Sequence, residues 1–171
     1  MSQRRTVHVL LACTAVALAV AGVVAVLRHH DDVKCQEGSG SSIGRVEIVS
    51  IRLSVDVVES SNPDCRVGHL REAPQPGDVG NSVLVGHRSG GASVFHDLDR
   101  VKPDDRVVVT TAKGAFTFIV IAQPDGQGSR VIEAADTSVV KPTTDTRLTL
   151  LSDYPSGDRQ RRLVVQAQAG S

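Results

Sequence analysis

From Arg45 onward the apolar side chains recur at every second position, and this period of two limits the chain more than any other feature. "RVEIVSI" alternates from Arg45, and "LSVDVVE" follows after the single residue Arg52. "NSVLVGH" comes next, behind the turn-rich "PQPGDVGN". "RVVVTTA" and "AFTFIVIA" flank Lys113-Gly114, a natural hairpin, and "RLTLLS" and "RRLVVQAQA" close the chain around "DYPSGDRQ". Val dominates the apolar set, and β-branched residues favour strands. Only "VFHDLDRV", Val94 to Val101, has the spacing of a short helix. Seven or eight short strands without long helical segments predict an all-β domain over 45–171, either a closed barrel or a sandwich.

The first residues follow different rules. Residues 1–6 contain Arg4 and Arg5, and Val7 to Leu27 then runs without an acidic residue, lysine or arginine. As a helix this run would cover about 30 Å, the hydrocarbon thickness of a bilayer. It reads as a transmembrane signal-anchor over 7–27. The two arginines ahead of it orient residues 1–6 to the cytoplasm and the β-domain outside, at the cell membrane as a single-pass protein. The triplet Ala19 to Ala21 resembles a signal-peptidase site, but "GVVAVL" continues the apolar run past it, which favours retention. Cys13 ends "LLAC", a lipoprotein-like box whose preceding apolar stretch is too short, so it reads as a small apolar residue of the helix. Residues 28–44, "RHHDDVKCQEGSGSSIG", form a polar tether ending in Gly and Ser. His29, His30, Asp31 and Asp32 in it read as a solvated cluster rather than a metal site.

Lys plus Arg and Asp plus Glu are both 19, so no net field favours nucleic acid as a partner. Nothing in the sequence calls for a cofactor or a bound metal. Cys35 and Cys65 are the cysteines beyond the anchor. In an oxidising compartment they can pair, closing a loop of about 30 residues for a gain of roughly 3–4 kcal/mol. Two free thiols are the competing reading.

Three histidines lie in the β-domain: His69 in "CRVGHLREAP", His87 in "LVGHRSGG" and His96 in the short helical segment. His87 stands out because it ends an apolar strand before a Gly-rich loop, where side chains project into accessible space. Arg162 enters the last strand in "RRLVV". Asp153 sits where "LTLLSDYP" leaves its strand for a Tyr-Pro turn. Each has an ordinary reading as a strand-end or edge residue. As a group they suggest a three-point site.

The segments "PGDVGNSVLVGHR", "FHDLDRVKPDDRVVV", "DTSVVKPTTDTRLTLLSDYP" and "RRLVV" resemble the sortases of Gram-positive bacteria, nearest the class E and class D pattern, from about Arg45 to Ala169. The resemblance implies an eight-stranded β-barrel. It also implies the scaffold of a cysteine transpeptidase that cuts sorting-signal peptides of secreted proteins and joins them to a cell-wall amine. In that pattern the histidine ending the "GH" strand is matched by His87, and the arginine opening the last strand by Arg162. The nucleophilic cysteine is matched by Asp153, behind Thr149, Leu150 and Ser152.

An aspartate in a thiolate's place changes the expected chemistry. A carboxylate attacking an amide would have to form a mixed anhydride, and it is a weaker nucleophile than a thiolate. Cys65 lies in a loop rather than at the nucleophile position, and Ser152 points to the opposite strand face from residue 153. Aspartate does keep a negative charge beside His87 and Arg162, where opposite charges within about 4–6 Å favour one another. The expectation is a membrane-anchored, catalytically degenerate sortase-like protein, a pseudoenzyme that binds peptide or regulates. The rivals are an active transpeptidase or hydrolase with a non-standard nucleophile, and a structural barrel without a ligand.

Overall fold

A computed structural model describes residues 41–63, 65–89, 93–155 and 160–170. All of them belong to the second of the two units into which the chain divides, Cys35–Ser171. The expected cytoplasmic segment 1–6, the anchor 7–27, nearly all of the tether 28–44, the His29–Asp32 cluster, Cys13 and Cys35 lie outside the described residues. Among the described residues no helix is long and apolar enough to cross a membrane.

The strands are β1 (Ser42–Ile48), β2 (Leu53–Glu59), β3 (Val67–His69), β4 (Gly80–Val85), β5 (Arg106–Thr111), β6 (Gly114–Val120), β7 (Ser129–Glu133), β8 (Thr146–Asp153) and β9 (Arg161–Ala169). They pair in the order β6-β5-β1-β2-β3-β4-β8-β9-β7, and a further pairing of β6 with β9 closes a ring of eight strands. The barrel, not the sandwich, is what the chain builds. Closure depends on β9: Arg161 to Val165 pair with β7 on one edge, while Ala167 to Ala169 pair with β6 on the same side. The other edge of β9 pairs along β8. Closure pairs the edges of the eight-strand ring that an open sheet would expose, and β7 remains the terminal strand of the order.

Inward-facing residues of nearly every strand meet in one core that includes Val46, Val57, Leu84, Val109, Phe118, Leu148, Leu150 and Val165. Each such side chain contributes about 1.5–3 kcal/mol relative to exposure. β4 is buried on both faces from Gly80 to Leu84. Its outer face is covered by the turn at Ser138–Val140, where Asn81 Nδ2 donates to the Val139 carbonyl at 2.8 Å. Thr149 Oγ1 on β8 donates to Asn81 Oδ1 at 2.8 Å, which satisfies both buried polar groups.

The structure departs from sequence pattern in three places. The run "RVEIVSI" leaves the sheet at Ile48, and Val49–Ile51 form a 3-10 turn closed by Arg52 at φ 55°. "VFHDLDRV" makes a turn and a 3-10 segment at Leu98–Arg100 rather than a longer helix. Pro103 biases Lys102 away from helical dihedrals, and burying Phe95 and Leu98 decides the path. Finally, β3 and β7 are strands that alternation does not announce, because each is very short or lies among turn residues. The hairpin at Lys113-Gly114 forms as expected, with Thr111 opposite Gly114.

Candidate functional site

Alternation along β8 sends Leu148 and Leu150 into the core and leaves Thr149, Leu151 and Asp153 on the outer face. On β9 the core takes Leu163, Val165 and Ala167, so Arg162 shares the outer face with Val164. The β8–β9 register sets Asp153 directly opposite Arg162. β4 runs parallel to β8 with Val85 beside Leu151, and the Gly86 N–H donates to the Leu151 carbonyl at 3.1 Å. His87 is therefore delivered to the same end of the same outer face.

Two features hold this junction closed. Gly86 carries no side chain because a Cβ there would meet the Phe95 ring at 2.6 Å. Ser152, pointing inward, donates its hydroxyl to the Gly86 carbonyl at 2.8 Å. Ser152 is thus buried in a structural bond on the face away from Asp153, as strand alternation requires.

His87, Asp153 and Arg162 line one cleft of about 530 Å³. Its floor is Val85 and Leu151, and its far wall is Ser61, Asn62 and Pro63 from the loop between β2 and β3. Asp153 Oδ1 accepts the Arg88 backbone N–H at 3.1 Å, and Ser89 Oγ reaches Oδ2 at 3.5 Å. Arg162 Nη1 donates to the Arg161 carbonyl at 2.8 Å. No thiol appears among the described lining residues. A carboxylate, an imidazole and a guanidinium around a partly apolar trough can hold an extended peptide by charge and hydrogen bonding.

The other sequence candidates go elsewhere. His69 is fully buried on β3, its Nε2 3.0 Å from the Pro74 carbonyl. His96 is exposed beside Asp97. Cys65 is disulfide-bonded, and the other two cysteines of the chain lie outside the described residues. Among the described residues no group of three His, Cys, Asp or Glu side chains is arranged to hold a metal ion. Sequence reasoning missed the wall at Ser61 to Pro63 and the contacts of Arg88 and Ser89. "SSNP" marks a turn, but nothing local says that this turn faces the cleft.

In the connection between β7 and β8 two carboxyls are held below their usual range. Asp136 accepts hydrogen bonds from Ser138, and Asp145 accepts one from the Arg147 guanidinium at 2.7 Å. Both contacts are local, within two residues, whereas Asn81 Nδ2 and Thr149 Oγ1, donating to the Val139 carbonyl, fasten the covering segment to β4 and β8.

The sortase domain family model matches residues 45–169. Sortase D of Bacillus subtilis (strain 168) is 25% identical, over 74% of this chain and 63% of its own length. The chain thus spans less than two thirds of that curated relative. Among solved structures, a Group B Streptococcus pilus island 1 sortase C2 is 27% identical with a TM-score of 0.65, covering 79% of this chain and 77% of the other. Sortase A from Corynebacterium diphtheriae superposes with a TM-score of 0.69 at 23% identity, over 78% of this chain and 63% of the other. A Clostridium perfringens sortase D5 transpeptidase gives a TM-score of 0.65 at 22% identity, over 77% of this chain and 80% of the other.

Proposed function

The chain belongs to the sortase family, and from that footing we propose that it is a peptide-binding member whose cleft holds a sorting-signal peptide without cutting it. The observation that carries the proposal is Asp153, at the end of the "TLLS" strand and in one cleft with His87 and Arg162. In this reading residue 153 is the family's nucleophile position. A carboxylate there would have to expel an amine from an amide through a mixed anhydride, a poor route beside a thioester. Its charge still suits the neighbouring guanidinium and leaves the imidazole a polar neighbour, which supports a cleft of retained shape and polarity. The Val7 to Leu27 run supports placement at the outer face of the cell membrane, where secreted proteins carrying such signals would pass.

The test compares three full-length proteins in detergent: the parent, Asp153→Cys, and Asp153→Cys with His87→Ala. Each is incubated with peptides carrying several sorting motifs, with and without an alkylating agent, and products are read by mass spectrometry. The parent should bind but leave every peptide intact. Asp153→Cys should gain alkylation-sensitive cleavage on the order of 10²-fold above background, which the added His87→Ala removes. Cleavage by the parent that resists alkylation would overturn the non-cleaving reading and make Asp153 a catalyst. A folded Asp153→Cys protein inert on every motif would overturn the retained peptide cleft.

A further inference from the structure

The β4–β8 ladder ends in an unusual way. The Gly86 N–H meets the Leu151 carbonyl, and the next donor of that parallel series is the Arg88 N–H. It is taken by the side-chain carboxylate of Asp153 at 3.1 Å. The side chain of Arg88 is largely buried, 12% exposed. Its Nη2 lies 3.3 Å from Asp99 Oδ2 on the 3-10 segment Leu98–Arg100. Its Cζ stands 5.6 Å from the ring centroid of Tyr154, the residue after Asp153. The turn leading into that segment is tied to the loop that follows β4, since the Phe95 N–H donates to the His87 carbonyl at 3.0 Å.

We propose that Arg88 is the positioning residue of the cleft, locking the loop that carries His87 to the strand end that carries residue 153 and to the 3-10 segment behind both. It touches no bound peptide in this role. It acts by setting the separation and angle between the imidazole and position 153. An arginine suits the task because its planar, multi-donor guanidinium can lie against an aromatic ring while another of its nitrogens pairs with a carboxylate, a geometry that the compact lysine ammonium does not reproduce. The proposal rests on the cleft being the functional site, but not on any peptide being cut.

Hydrogen exchange read by mass spectrometry on the full-length protein in detergent tests it directly. Arg88→Gln and Tyr154→Leu should each speed exchange about tenfold or more in peptides covering 86–89 and 152–155, leaving β1, β5 and β6 at parent rates. Arg88→Lys should behave like Arg88→Gln, since it keeps the charge and loses the planar face. Arg100→Gln, at an exposed arginine paired with Asp97 on the same 3-10 segment, should match the parent. In the Asp153→Cys background, Arg88→Gln should lower kcat about tenfold with KM within about twofold, because alignment and not peptide contact is lost. Unchanged exchange at 86–89, or acceleration spread evenly over the barrel, would overturn the positioning role. If Asp153→Cys cleaves nothing, the peptide reading fails while the exchange pattern still decides the role of Arg88.

Discussion

Asp153 on β8 and Arg162 on β9 stand directly opposite one another across an antiparallel pair, both on the outer face of the barrel wall and both lining the cleft that His87 enters from β4. Opposed residues on one face bring their Cβ atoms to about 4.5–5.5 Å, so charges placed there act on each other by construction. Asp153→Ala, Arg162→Ala and the double variant should show a coupling energy of about 0.2–1 kcal/mol in urea melts. The coupling should shrink at high salt, since both residues are only half-buried. A coupling of zero at low salt would mean that the carboxylate and guanidinium do not sense each other.

Acid should weaken the contact between Asp145 and Arg147 where the chain enters β8. The Arg147 hydrogen bond holds the Asp145 carboxyl below its ordinary range in the folded chain. A depressed folded-state pKa contributes stability above the unfolded value, about 3.9, and that contribution is lost as pH falls through the folded value. Asp145→Asn should therefore unfold at lower urea than the parent near pH 6–7, with the gap closing once the pH drops below about 4. A gap that stays constant down to pH 3 would show that the ionised carboxylate contributes nothing.

Cys65 is disulfide-bonded, and we expect Cys35 to be its partner. Non-reducing peptide maps should recover a Cys35–Cys65 crosslink. Replacing both cysteines by serine should lower stability by roughly 3–4 kcal/mol, the chain-entropy value for a loop of about 30 residues. Quantitative alkylation of both thiols in unfolded, unreduced protein would rule the crosslink out.

The apolar run from Val7 to Leu27 should keep the protein in the membrane fraction, with the β-domain accessible to protease from outside. Fractionation of tagged cells checks this. A mature form beginning near Gly22 in the medium would show that the run is a cleaved signal instead.

The sequence by itself determined the strand-rich class, the Lys113-Gly114 hairpin, and the outward projection of position 153 opposite to Ser152. Each follows from a rule acting within a few residues: alternation puts neighbours on opposite faces, and a glycine admits the φ of 134° at Gly114. His87, Arg162 and Asp153 are also legible as candidates, because each lies at or within two residues of a strand end. Tertiary structure alone decided that the sheet closes through β6 and β9, and that Ser61 to Pro63 wall the cleft. It also decided that Arg88 is buried between Asp99 and Tyr154. Those outcomes join residues on separate elements of the chain, and they are selected by which faces can bury one another. No local pattern around β3 or β7 carries that information, since such short segments are held as strands by their neighbours and not by their own alternation.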